Sequence, residues 1–248
     1  MRIAAIYDVH GNLPALEAVM AEVRREGVDL VVVGGDVLPG PMPVETLEYI
    51  TSLDLPTRFL HGNGDREVRN QMAGVESSIL PPPWREVMRW VAAQLTPDHG
   101  RILDSWPATQ AVDHGTLGGI LFCHATPRND IEIFVRTTPE ASLLPVFATT
   151  DAAIVVCGHT HMQFDRRIGK TRVINAGSVG MPFADPGAYW ALIGDDVELR
   201  RTSYDFDRAA RMIRASNYPQ AQDFADKNIL NPPREEQMLT VFSAAEIK

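Results

Sequence analysis

Cysteine is nearly absent from this chain of 248 residues: only Cys123 and Cys157 occur. Two thiols make no disulfide framework, and each ends an apolar run beside a histidine-bearing turn, so both read as buried reduced thiols. A basic excess is missing too. The 23 Lys and Arg stand against 32 Asp and Glu, a net charge of −9, which argues against nucleic acid as a partner. No apolar run reaches the roughly 18 residues of a membrane span, and no signal-peptide pattern is read before the first strand. No membrane partner is expected, and a cytoplasmic location is the default expectation. Repeats and low-complexity tracts are lacking as well. What remains is the mixture of a globular chain, 45% hydrophobic and 22% charged. Its length suits one large domain, or one domain with a small appendage. A homo-oligomer is left open.

Five apolar runs each stop in a short turn carrying Asp, Asn or His, four of the turns also containing glycine. Ile3–Tyr7 ends in Asp8-Val-His10-Gly-Asn12, and Leu30–Val33 in Gly34-Gly-Asp36. Thr57–Leu60 ends in His61-Gly-Asn63-Gly-Asp65, Gly119–Cys123 in His124-Ala125, and Ala153–Cys157 in Gly158-His-Thr-His161. The runs are rich in β-branched residues and read as buried strands. In open α/β sheets ligands sit beyond the carboxyl ends of the strands, so five polar strand ends converge on one site.

Along the chain, a strand at 2–7 is followed by a helix from Leu13 to Arg25, with Pro14 in its first turn, and a strand at 29–33. A helix at 44–53 and a strand at 57–61 come next. This alternation predicts parallel pairing with right-handed crossovers. Residues 65–107 read as a helical insertion near the site, with helices at 65–73, 83–95 and 98–105. Trp84, Val87, Met88, Val91 and Leu95 share one helical face, so Trp84, Trp90 and Trp106 read as packing residues rather than as platforms for substrate. Strands at 108–113 and 118–124 form a hairpin. A helix at 139–147 and strands at 153–157, 163–168, 171–175, 188–194 and 197–203 follow, their close order suggesting a largely antiparallel sheet. A helix at 205–215 ends the main domain, 1–215, and 216–248 reads as a helical C-terminal appendage.

The collected side chains are Asp8, His10, Asp36, Asn63, His124, His159 and His161. Carboxylate, amide oxygen and imidazole together suit divalent ions such as Mn, Fe, Zn, Ni or Co, with Mn favoured. Seven ligands exceed the four of a structural zinc. They fit a pair of ions about 3.5–4 Å apart, with Asp36 as the natural bridge. Such a pair lowers the pKa of a water and clamps phosphoryl oxygens, so the expected chemistry is hydrolysis of a phosphate ester.

These blocks resemble the calcineurin-like metallophosphoesterases, whose spaced pattern is Asp-x-His, Gly-Asp, Gly-Asn-His-Asp or Glu, a lone His, and Gly-His-x-His. All five occur here in order, over about residues 1–203. The short spacings and Asn175-Ala-Gly-Ser-Val-Gly180 are similar to the small prokaryotic phosphodiesterase branch. The resemblance implies a four-layer αββα sandwich of two mixed sheets flanked by helices. It implies one ion on Asp8, His10, Asp36 and His161, and a second on Asp36, Asn63, His124 and His159. Asp36, Asn63, Asp65 and His124 are then the residues closest to the chemistry, with Asp65 either capping a helix or orienting His124. One position departs from the pattern: Gly64 stands where many members carry a histidine that contacts phosphate or protonates the leaving group. Without that acid, monoesters with poor leaving groups should suffer most.

A small phosphoester is therefore the expected substrate, a diester first. A phosphomonoesterase is the alternative, acting on phosphoserine or phosphothreonine protein or on nucleotides, and a non-catalytic scaffold is a more distant one. His61 is considered as a substitute acid. Arg66 and Arg128 are considered as phosphate contacts, with surface arginine the default. Asn12 and Ser178 read as loop-shaping residues, and His99 and His114 as surface ones.

Overall fold

The structure, a computed structural model, describes all residues 1–248. In chain order the elements are β1 (Ile3–Ile6), α1 (Leu13–Arg25), β2 (Leu30–Val33), α2 (Pro43–Thr51), β3 (Thr57–Phe59), α3 (Asn63–Met72), α4 (Pro82–Gln94) and α5 (Pro97–Asp104). Then come β4 (Thr109–His114), β5 (Gly118–Cys123), α6 (Glu140–Phe147), β6 (Ile154–Cys157), β7 (Phe164–Ile168), β8 (Thr171–Asn175), β9 (Ala188–Ile193) and β10 (Val197–Thr202). The chain closes with α7 (Phe206–Arg214), α8 (Ala221–Phe224), a π-helical segment (Ala225–Leu230) and α9 (Glu235–Ser243).

Two five-stranded sheets form, in the orders β10–β9–β1–β2–β3 and β4–β5–β6–β8–β7. Strand periodicity sorts their side chains into layers. On β1, Ile3 and Ala5 face the second sheet, where Ile120, Phe122, Ile154, Val156 and Ile174 meet them. Ala4 and Ile6 face the other way, against Leu16, Val19, Met20 and Val23 of α1. On β6, Val155 and Cys157 point outward to Leu143, Val146 and Phe147 of α6. The result is helix, sheet, sheet, helix: the αββα sandwich, with strands buried on both faces as their continuous apolar runs demand. Each fully buried aliphatic side chain contributes roughly 1.5–3 kcal/mol.

Residues 108–203 do not make one largely antiparallel sheet. In the second sheet β5–β6 and β6–β8 are parallel, and only the flanking pairs β4–β5 and β7–β8 are antiparallel. β9 leaves for the first sheet, pairing antiparallel with β1. Close spacing shows that strands are short and sequential, but not which partner completes their hydrogen bonds. Residues beyond 215 share the first core: Tyr218, Phe224 and Ile229 are buried in the same cluster as α1.

Register fixes where the strands end. Ile6 lies opposite Val33, and Val33 opposite Phe59. In the second sheet Phe122 lies opposite Val156, and Cys157 opposite Asn175. The turns that follow β1, β2, β3, β5 and β6 thus open at one end of the sandwich.

Candidate metal centre

The ligand-bearing turns are laced together by backbone. Asp8 and His10 donate their amides to the carbonyls of Gly35 and Asp36, both at 3.0 Å, and Gly11 donates to Val37 at 3.0 Å. Across the sheets, the His159 amide donates to Asp8 Oδ2 at 2.9 Å. Ser178 Oγ donates to the Asp8 carbonyl at 2.7 Å. Asn175 Nδ2 donates to the Gly158 carbonyl at 2.7 Å and to Thr160 Oγ1 at 3.1 Å. The Asn175–Gly180 stretch is therefore the clamp that seats the turn holding His159 and His161. Ser178 is structural, as its sequence setting suggests. Asn12 caps α1 through Ala15 N and holds the Gly180 carbonyl.

Six residues other than glycine have positive φ, and five are Asp8 (53°), His10 (46°), Asp36 (50°), His159 (66°) and His161 (59°). A side chain in this left-handed region costs about 1–2 kcal/mol, and such strain collects where geometry serves function. Gly35, with φ of 90°, gives the space: a Cβ there would lie 2.4 Å from Gly62 N. Glycines at the turns were visible in the sequence, but strain at the ligand positions themselves was not.

The seven side chains form one continuous cluster. His161 Nε2 lies 3.4 Å from Asp8 Oδ1 and 3.2 Å from His10 Nε2. Asp36 Oδ2 lies 3.8 Å from His10 Nε2 and 3.6 Å from His124 Nε2. One terminal atom of the Asn63 amide lies 3.2 Å from His124 Nε2 and 3.0 Å from His159 Nδ1. Two sets of three side chains bring ligand atoms close enough for one ion: Asp8, His10 and His161, and Asp8, Asp36 and His124.

The tautomers decide what these atoms offer. His10, His124 and His161 donate from Nδ1 to the carbonyls of Pro39 (3.3 Å), Gly34 (2.9 Å) and Met181 (2.7 Å). In its neutral form each ring then turns its Nε2 lone pair into the cluster. Burial, then the charge on His161, pushes the His10 imidazole down to about 3. Burial, then His124, does the same for His159, so both are neutral at pH 7 and able to ligate. Asp8 is held below the usual carboxylate range, because burial is outweighed by His161, His124 and His10. Asp36 is raised by burial and by the Asp8 charge. Asp8 Oδ1 is buried with no hydrogen-bond partner.

This donor set fits divalent cations. Two buried imidazole nitrogens this close need a proton or a cation between them. Two ligands held about 2.1 Å from one ion at 90–109° lie about 3.0–3.4 Å apart, and the His10–His161 separation falls in that window.

The other residues singled out by the sequence are placed as well. Asp65 does not hydrogen-bond His124, which the Gly34 carbonyl orients instead. Asp65 accepts from Gly62 N at 3.0 Å and Leu38 N at 2.9 Å, so it caps α3 and ties down the loop after Asp36. Burial and the Asp36 charge push it up to about 7. Arg66 is bound to Asp130 at 2.7 Å, and Arg128 to Glu132. His61 turns toward Asp130 at 3.7 Å and does not line the cavity over the site. His99 and His114 are buried: one completes the capping box of α5, and the other binds the Met1 carbonyl. Trp106 stacks on Phe59 and Trp90 packs edge-on to Tyr218, as packing residues do. Trp84 instead lines the cavity.

Over residues 1–195 the chain matches the calcineurin-like phosphoesterase superfamily domain, and it belongs to that family. An uncharacterized protein of Methanocaldococcus jannaschii is 28% identical over 240 residues, covering 88% of this chain and 94% of its own. Phosphodiesterase YfcE of Escherichia coli is 24% identical over 206 residues, covering 79% and 89%. Among solved structures, a metallophosphoesterase from Sphaerobacter thermophilus superposes with a TM-score of 0.74 at 25% identity, over 92% of this chain and 99% of that one. No helix is long and apolar enough to cross a membrane.

Proposed function

We propose that the chain is a two-metal phosphodiesterase acting on a small diester, with Mn as its favoured ion. The observation that supports it is the buried convergence of carboxylate oxygens and imidazole Nε2 atoms, with His10 and His161 3.2 Å apart at its centre. Asp8, His10, Asp36 and His161 would hold one ion, and Asp36, Asn63, His124 and His159 the other. Asp36 is suited to the bridge because its Oδ2 faces both His10 and His124. Bound there, the ions would polarise phosphoryl oxygens and make water acidic enough to deliver a nucleophile near neutral pH.

The chain's own contribution is orientation. Backbone carbonyls lock three imidazoles in the ligating tautomer, and Gly64 N donates to Asp36 Oδ1 at 2.7 Å, holding its second oxygen toward the histidines. Preference for a diester is argued from what lines the cavity. Its only titratable side chains are His10, Asp36, His159 and His161, all assigned here as ligands. None is left to protonate a strongly basic alkoxide, so aryl and other good leaving groups are favoured.

The test compares a nitrophenyl phosphodiester with its monoester in Mn, alongside Asp36→Asn. Diester turnover well above monoester turnover, reduced at least about a hundredfold in the variant, is expected. Monoester preference would overturn the diester assignment. Activity unchanged in Asp36→Asn would overturn the metal site.

A further inference from the structure

The cavity above the candidate metal centre measures about 400 Å³ and has two unlike parts. Its floor is the ligand cluster. Its wall is Leu80, Trp84, Met88, Met181, Phe183 and Phe242. These come from three segments that carry no ligand: α4 with the residues just before it, the loop between β8 and β9, and α9. No lysine or arginine lines the cavity, and the two arginines considered for phosphate are spent on Asp130 and Glu132.

The wall runs on from the floor. Phe183 stacks on the His161 ring, centroids 4.9 Å apart and planes 23° apart, and Phe242 lies 6.0 Å from Phe183. Trp84 remains 39% exposed, although Val87, Met88 and Val91 on the same helix are buried. An indole left partly wet at the rim of an apolar cavity gains by burial against an apolar ligand.

We propose that this wall is the subsite for the ester group that stays on phosphorus, and that the group is uncharged and apolar or aromatic. The inference rests on the phosphodiesterase reading above. A simple diester carries one negative charge, which the floor can take up. A polyphosphate or a nucleic-acid strand brings further charges, and the wall offers no cation to meet them. The volume suits one such group, falling within the roughly 300–1,000 Å³ of small-molecule sites. The helical insertion and the C-terminal helix thereby acquire a shared role: Trp84 and Phe242 determine specificity without being metal ligands.

The experiment holds the leaving group constant. With Mn-loaded full-length protein, kcat/KM is measured for phenyl, methyl and 4-carboxyphenyl esters of 4-nitrophenyl phosphate, in the wild type, Trp84→Ala and Phe242→Ala. The phenyl diester is expected to exceed the methyl diester by about tenfold or more, and the carboxylate to remove that advantage. In each variant the phenyl-to-methyl ratio is expected to fall toward one. Both side chains are outside the buried core, and unchanged thermal midpoints check that the variants fold. A wild-type ratio near one, a ratio unmoved in both variants, or a carboxylate ester as good as the phenyl would overturn the inference while leaving the phosphodiesterase reading intact. No turnover of any diester would overturn that reading, and this inference with it.

Discussion

Putting a side chain back at position 64 should damage the site rather than repair it. A Cβ on Gly64 would lie 2.5 Å from the Leu38 carbonyl oxygen, 2.8 Å from Pro39 Cδ and 3.0 Å from Asp36 Oδ1. The first obstacle is backbone, and Asp65 Oδ1 pins that segment through Leu38 N at 2.9 Å. The loop therefore cannot swing away at no cost. Overpacking of this kind costs about 1–3 kcal/mol. Moving α3 outward instead stretches the 2.7 Å bond from Gly64 N to Asp36 Oδ1, and hydrogen bonds to charged groups contribute about 1.5–3 kcal/mol. Helix propensity favours alanine over glycine by about 1 kcal/mol at most, and less in the first turn. The net expectation for Gly64→Ala is about 0.5–2.5 kcal/mol of destabilisation, a fall of about 1–10 °C in thermal midpoint for a domain of this size. Mn affinity should weaken as well, because Asp36 shifts. Gly64→His, the change that would match the commoner family pattern, should be at least as damaging and bring no monoester turnover. Gly115→Ala is the control, since nothing lies within 4 Å of a Cβ there; it should change stability by less than about 0.5 kcal/mol. Thermal unfolding and Mn titration of the three variants decide the matter. A Gly64→His protein with the wild-type midpoint and new monoester activity would refute the reasoning, because the Leu38–Pro39 segment would then have moved aside freely.

Metal uptake should release protons. Asp36 is raised by burial and by Asp8, and Asp65 is pushed up to about 7 by burial and by Asp36. A dication favours the ionised forms of both carboxyls, so Mn affinity rises as pH rises toward 7 and falls on acidification. Calorimetric titration of chelator-treated protein in two buffers of different ionisation enthalpy measures the release, and an identical apparent enthalpy in both would contradict it. Asn175→Ala removes donors to Gly158 O and Thr160 Oγ1 and the acceptor of Gly177 N at 2.9 Å. Leaving such buried groups unpaired costs about 1–3 kcal/mol each. Urea unfolding should register a loss of at least about 2 kcal/mol together with weaker Mn binding; loss of stability with metal affinity unchanged would show that the turn holding His159 and His161 does not depend on this clamp.

Much of the molecule could be read from the sequence because its signals are local. Buried parallel strands must be short continuous apolar runs, and Ala153–Cys157 differs from the observed β6 by one residue. Helix α1 runs over the Leu13–Arg25 span that Pro14 and the helical spacing of its apolar positions predict. What was not legible lies in partnerships over long chain separations. β9 is as apolar as β6, yet nothing in its residues names β1, more than 180 positions earlier, as its neighbour. The orienting groups of His10, His124 and His161 are backbone carbonyls, which every residue possesses, so no residue type marks them. This is why Asp65, the one acidic side chain near His124 in the motif, is offered, beside the helix cap it makes, the orienting role that the Gly34 carbonyl performs. Trp84 follows the same logic in reverse. Helical spacing puts it in line with Val87, Met88 and Val91, but the first turn of α4 overhangs the cavity, beyond the edge of the core those three residues enter. Periodicity tells which residues share a face, whereas how far that face stays covered depends on what the rest of the chain lays against it. Here the covering stops one turn early, and the uncovered indole becomes part of the site.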